Sequence, residues 1–265
     1  LSEAKVDLLV ANLGTLPFLK LQWAQINRLK PTVPFRYLVR ASHPVEGEEE
    51  WLKAQGIEHE IGPEKLSHYD GLKKLIPLST APIIGFMDAD TIPFKKGWLD
   101  SAVALLESDP KIAAVGLSHF TKTQPDSPRR NHTQGTMYCH PAFALFRRDI
   151  YDQVGLDPTA KILDNGDWFD AGGTMSPMLE AAGYQWEPLG IARNEEAQFW
   201  TGQKVFHVGC AALILLNARI SEEYARSYTD WHRYILGRMG LWEDFAGYLK
   251  ESFPVNPYIS RYGEL

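Results

Sequence analysis

Residues 82–87, Pro-Ile-Ile-Gly-Phe-Met, are apolar almost throughout and end abruptly in Asp88-Ala89-Asp90. A short unbroken apolar run bounded by turn residues is expected of a central strand covered on both faces, since a strand with one wet face alternates apolar and polar side chains. Covering both faces takes helices on either side, so the chain is expected to be an α/β protein built on a mostly parallel sheet. The acidic pair then stands at the carboxyl end of a buried strand, where open α/β sheets place their ligands.

The neighbouring sequence follows the same plan. In the first 116 residues short apolar runs alternate with helical patterns, the signature of crossover units. Residues 6–10 predict the first strand and Asn12-Leu13-Gly14-Thr15 the loop after it. Pro17 suits the first turn of a helix on which Leu19, Trp23, Ile26 and the stem of Lys30 share a face. Strands are expected at 35–39 and 57–61, with helices at 48–55 and 68–78. Beyond the acidic pair, Pro93 and Gly97 introduce a helix with Trp98, Ala102, Leu105 and Leu106 inward, before a strand at 112–116. Residues 118–140 lose periodicity and read as a long loop, of the kind that is functional or mobile in compact domains. A strand resumes at 142–147. The acidic turn 164–170 leads through Gly172-Gly173-Thr174 into a helix ended by Gly183. A short strand is expected at 204–208, and one helical segment at 221–249, where Tyr224, Tyr228, Trp231 and Ile235 recur at helical spacing.

Composition restricts what such a sheet does. A chain of 265 residues buries about three quarters of its unfolded surface, so it needs neither disulfide nor metal for stability, and a metal here is expected to be catalytic. Lys and Arg number 27 against 33 Asp and Glu, a formal net charge of -6, which excludes a global positive field toward nucleic acid or anionic lipid. The two cysteines, Cys139 and Cys210, have no metal-like spacing and read as free thiols of a reducing compartment. No stretch approaches the ~20 apolar residues of a membrane span, and residues 1–10 lack the apolar run of a signal peptide. The expectation is a soluble, cytoplasmic protein without stable membrane insertion.

Two carboxylates one residue apart on an extended segment point to the same side, and just past a strand end they are able to share one divalent cation with a ligand's phosphates. Oxygen donors of this kind suit Mg or Mn. The bland reading of the same three residues is a solvated turn in which Asp90 caps the following helix. The surrounding pattern goes further. The apolar strand, Asp88-Ala89-Asp90, Thr91, Pro93 and the helix carrying Trp98-Leu99 resemble the signature of family 2 glycosyltransferases of the GT-A fold. His68-Tyr69-Asp70-Gly71-Leu72, the segment 141–148, the stretch from Asp170 to Gly183-Tyr184 and Phe206-His207-Val208-Gly209 resemble further segments of that family, so the resemblance covers most of residues 5 to 212.

The resemblance implies a mixed, mostly parallel GT-A sheet flanked by helices. It also implies that Asp90 is a direct metal ligand, that Asp88 touches the ribose or the metal's water shell, and that His207 is a second protein ligand. A cation there stabilises the charge that develops on a departing nucleoside diphosphate. An inverting transfer also needs a base for the acceptor hydroxyl. Asp170 fits the family position and Asp167 is the alternative, although either carboxylate is equally at home at a helix start. Gly172 and Gly173 would let N–H groups approach a sugar or phosphate, or simply make a tight turn. Asn12 reads as a nucleoside contact or a cap. Where the family carries an acidic, Ser-containing segment after the second strand, this chain reads Val39-Arg40-Ala41-Ser42-His43-Pro44, so the nucleotide is not legible. Lys122, Arg129, Arg130 and His132 form a lid over phosphates or a solvated face. Trp168, Tyr224, Tyr228 and Trp231 stack on rings of a ligand or pack a core.

The expected activity is a metal-dependent glycosyltransferase of hexosyl type, with a divalent metal (Mn or Mg) and a nucleoside-diphosphate sugar as donor. The acceptor bears a hydroxyl, as do a saccharide, a lipid-linked sugar, a protein side chain or a modified nucleobase. The rival readings are a nucleotidyltransferase, for which Asn12-Leu13-Gly14-Thr15 is poor in the glycines and basic residues that cradle phosphates, and a nucleotide-sugar-binding module without catalysis. In the expected organisation residues 1–220 form the GT-A domain, with a donor half at 1–116 and an acceptor half at 117–220, and residues 221–265 form a helical extension packed on it.

Overall fold

The computed structural model describes residues 3–62, 66, 68–120, 137–159, 161–162, 167–169, 171–191, 204–209 and 222–253. The strands are β1 (Val6–Leu13), β2 (Phe35–Ser42), β3 (Glu58–Gly62), β4 (Ile83–Asp88), β5 (Thr91–Pro93), β6 (Ile112–Phe120), β7 (Met137–Arg147), β8 (Lys161–Ile162), β9 (Trp168–Phe169), β10 (Gln185–Ile191) and β11 (Val205–His207). The helices are α1 (Leu16–Leu29), α2 (Glu48–Ala54), α3 (His68–Leu75), α4 (Trp98–Glu107), α5 (Arg148–Val154), α6 (Met175–Ala181), α7 (Glu222–Arg238) and α8 (Trp242–Ser252). Seven strands form one sheet in the order β10-β6-β7-β4-β1-β2-β3. All pairings in it are parallel except those of β7, which runs antiparallel to both β4 and β6. This is the expected mixed, mostly parallel sheet, and no helix among the described residues is long and apolar enough to cross a membrane.

Burial explains the layers. Val6, Leu8 and Val10 of β1 turn to one face and meet Leu19, Ile26 and Leu29 of α1 and Leu99, Ala102 and Leu106 of α4. Leu9 and Ala11 turn to the other face, with Ile84 and Phe86, against Leu72 and Leu75 of α3 and Met175 and Leu179 of α6. A third apolar cluster lies outside the sheet. There Phe18 and Leu21 of α1, Ile92 of β5 and Phe206 of β11 pack on Ile235, Leu236, Leu241, Phe245 and Leu249 of the two C-terminal helices. Helix α1 is therefore buried on two sides.

Two expectations are corrected, and one strand had no counterpart among them. Of the stretch expected as a long loop, 118–120 continue β6 and 137–140 begin β7, where backbone hydrogen bonding between neighbouring strands overrides their weak apolar pattern, and 121–136 lie outside the described residues. The single helix over 221–249 is two helices, broken where Gly240 takes φ +69° and the Leu241 N–H reaches back to the Leu236 carbonyl. The edge strand β10 carries Pro188 and mostly half-exposed side chains, a pattern that hides a strand from sequence reading but is tolerated at a sheet edge.

Candidate metal centre

The central strand β4 is buried until its last residue, Asp88, where the chain turns through Ala89 and Asp90 into β5. Three residues of β5 pair antiparallel with β11, setting His207 opposite Thr91, and the Val208 N–H donates to the Asp90 carbonyl at 3.0 Å. This short ribbon brings together residues that the chain separates by more than a hundred positions. His207 Nε2 lies 3.3 Å from Asp88 Oδ2 and 3.3 Å from Asp90 Oδ1. The three side chains each offer one ligand atom, and all these atoms lie within 4.8 Å of one another. Asp90 is 8% exposed and His207 9%, so the cluster is largely shielded from solvent by the described residues.

Two carboxylate oxygens and one imidazole nitrogen make a hard, mixed donor set that fits Mn and tolerates Mg. Donors about 2.1 Å from an ion and at right angles stand about 3 Å apart, close to the two 3.3 Å separations. Small movements of the carboxylates would complete such a site. His140 of β7 stacks on His207 with ring centroids 5.8 Å apart, and His119 of β6 lies 5.0 Å from His140. His140 Nδ1 accepts from the Ala142 N–H at 3.0 Å, which leaves the ring hydrogen on Nε2. The sequence reading passed over both histidines, because no spacing links positions 119, 140 and 207.

The remaining expected residues divide. Asn12 is fully buried and spent within the protein: its Nδ2 donates to Glu48 Oε1 at 2.6 Å, and its Oδ1 accepts from the N–H and hydroxyl of Thr15 at the start of α1. It braces the loop that leads into α1. Its partner Glu48, which the sequence reading saw only as a helix start, is also fully buried. Burial pushes its carboxyl above the usual range, opposed by the hydrogen bonds from Asn12 and the Val45 N–H. Gly172 stands in a tightly packed turn. Its N–H donates to the Pro158 carbonyl, its φ is +71°, and a Cβ there would sit 2.6 Å from Pro141, so close packing explains the glycine. Gly173 lies in the same buried turn.

Asp167 is half-buried just before β9. Asp170, the basic segment of Lys122, Arg129, Arg130 and His132, Cys210 and the side chains of Trp168 and Tyr224 lie outside the described residues. Tyr228 and Trp231 belong to the C-terminal apolar cluster, which is the core-packing reading of that aromatic face. Cys139 is a free, buried thiol whose pKa burial raises.

No family model matches the sequence, and no curated protein matches it significantly. Solved structures do resemble the fold. A mannosyltransferase from Pyrobaculum calidifontis, in complex with GDP-Man and Mn2+, aligns with 98% of this chain and 79% of its own at 14% identity and a TM-score of 0.52. The glucosyl-3-phosphoglycerate synthase of Mycobacterium tuberculosis, in complex with UDP, aligns with 91% of this chain and 82% of its own at 12% identity and a TM-score of 0.51. At such identities the likeness is one of architecture: the chain has the GT-A fold, a Rossmann-like, mostly parallel sheet extended by C-terminal helices.

Proposed function

We propose that this protein is a metal-dependent glycosyltransferase that moves a sugar from a nucleoside-diphosphate donor to an acceptor hydroxyl with inversion. The observation that carries the reading is the convergence of Asp88, Asp90 and His207 at the carboxyl end of β4, on a GT-A sheet. Asp90 and His207 would hold the cation directly, and Asp88 would hold it or its water shell and the ribose. The bound cation would offset the negative charge that collects on the diphosphate as the glycosyl bond breaks. Asp170, with Asp167 as the alternative, would take the proton of the acceptor hydroxyl as its oxygen attacks the anomeric carbon from the opposite side. Residues 1–116 would serve the donor and 117–220 the acceptor, with the helices of 221–265 as an extension. The mannosyltransferase structure with GDP-Man and Mn2+ supports the donor class and the metal by likeness of fold.

Calorimetric titration of GDP-mannose, UDP-glucose and other nucleotide sugars, with Mn and with chelator, tests this reading. Tight binding of at least one donor with Mn, lost with chelator, is expected, together with slow hydrolysis of that donor. Binding indifferent to Mn would overturn the metal role, and Mn-dependent binding without any turnover would favour a binding module.

A further inference from the structure

We propose that Gln22 of α1 and Trp231 and His232 of α7 are positioning residues that set the metal affinity of the centre by holding the backbone of its two ligand-bearing turns. The proposal rests on the metal reading above.

Neither turn has much sheet of its own. Asp88 to Thr91 links β4 to the three-residue β5, and Val208-Gly209 follows the three-residue β11. Both are held instead by side chains of α1 and α7. The Gln22 amide donates from the same Nε2 to the Asp88 carbonyl at 2.7 Å and to the Thr91 carbonyl at 2.6 Å, tying the two ends of the acidic turn together. The Tyr37 hydroxyl donates to Gln22 Oε1, which fixes the amide with its nitrogen toward the turn. Gln22 is fully buried, at a helix position where an aliphatic side chain would fill the space without a polar cost. Its presence is explained by the carbonyls it satisfies.

The second turn is held from the opposite direction. Consecutive residues of α7 reach it: Trp231 Nε1 donates to the Val208 carbonyl at 3.0 Å, and His232 Nε2 donates to the Gly209 carbonyl at 2.7 Å. Phe18 of α1 meets the His232 ring edge-on at 5.3 Å, and Phe18 and Gln22 are one helical turn apart. Helix α1 is thus the common wall behind both turns, and the Val208 N–H to Asp90 carbonyl bond joins them at the front. None of the three side chains needs to touch a cation. They fix where its ligands stand, and outer partners of this kind typically contribute ten- to a hundredfold in metal affinity.

The test reads Mn affinity from the free-ion EPR signal and, separately, melting temperature in chelator. Gln22→Met and Trp231→Phe keep volume or ring and remove the donors. Each is expected to weaken Mn binding by about tenfold or more. His232→Phe should do the same, and His232→Gln, which keeps a donor, should restore most of the affinity. Arg36→Met, which breaks the ion pair to buried Asp7 near the amino ends of β1 and β2, should lower the melting temperature and leave Mn affinity within twofold. If Gln22→Met fails to fold, Trp231→Phe decides the matter, because it removes a single N–H from a partly buried ring. Variants that fold and bind Mn like the wild type overturn the positioning role while leaving the metal reading intact. A wild-type protein that binds no Mn overturns both.

Discussion

The two ends of the central strands each bury aspartate, and they use it in opposite ways. At the amino end, Asp7 of β1 is surrounded by donors: Arg36 Nε and Nη2 at 2.8 Å each, the Thr80 N–H at 2.7 Å and the Ala81 N–H at 2.9 Å. Burial opposes its ionisation, but these donors prevail and hold its pKa below the usual carboxylate value. At the carboxyl end, Asp88 and Asp90 converge on one imidazole and on each other. A carboxylate saturated by fixed donors is a structural bond. Two carboxylates gathered around one histidine place like charges together and gain from a cation added between them.

Exchanging the two kinds of aspartate gives the sharpest break in that comparison. Asp90→Ala is expected to weaken Mn binding more than a hundredfold, with the melting temperature in chelator unchanged or raised. Asp7→Asn is expected to leave Mn binding alone and to cost roughly 3 kcal/mol of stability in urea unfolding, because one of the two acceptor oxygens becomes an NH2 facing other donors and Arg36 loses its counter-charge. Equal effects of both substitutions on Mn affinity would erase the distinction.

Acid should separate the ends next. Burial lowers the His232 pKa to about 4, against the opposing hydrogen bond to the Gly209 carbonyl and the nearby Asp90 charge. Its folded pKa lies below its unfolded value, so its stabilising contribution is complete above the ordinary histidine range and is lost as pH falls toward 4. Asp7 follows the same sign at lower pH: its contribution is present above the ordinary aspartate value and disappears as pH falls through the depressed one. Urea midpoints measured from pH 7 to 3 should therefore fall in two stages, and His232→Gln should flatten only the first.

The smallest effect is expected at Glu48, whose raised pKa carries the opposite sign. The unfolded chain releases this proton first, so stability falls as pH rises from the ordinary glutamate value toward the folded one. Glu48→Gln should remove that slope and change stability at neutral pH by about 1 kcal/mol or less, since one of its two hydrogen bonds is kept.

The comparison also shows where sequence reading succeeds. The strand 82–87 and its acidic ending were legible because burial on both faces leaves an unbroken apolar run, and β1, β2, β6 and α4 were found by the same logic. β5 and β10 were missed, because one is three residues long and the other is a half-exposed edge. At the centre, Asp88 and Asp90 announce themselves as neighbours, and His207 was reached only through a family resemblance. Asn12 and Gly172 looked like ligand contacts because amides and glycines serve ligands and tight packing alike. Only the tertiary positions of Glu48, Thr15, Pro141 and Pro158 reveal the contacts these two residues make within the protein.

By itself the sequence determined a covered parallel sheet with acids at the end of its central strand, because periodicity and apolar runs record burial locally. Tertiary structure alone decided that a three-residue ribbon would carry His207 to those acids, and that Gln22, Trp231 and His232 would grip the backbone on either side of them. Contacts between residues far apart in the chain leave no local pattern, since a hydrogen bond to a distant carbonyl constrains only the two atoms that make it.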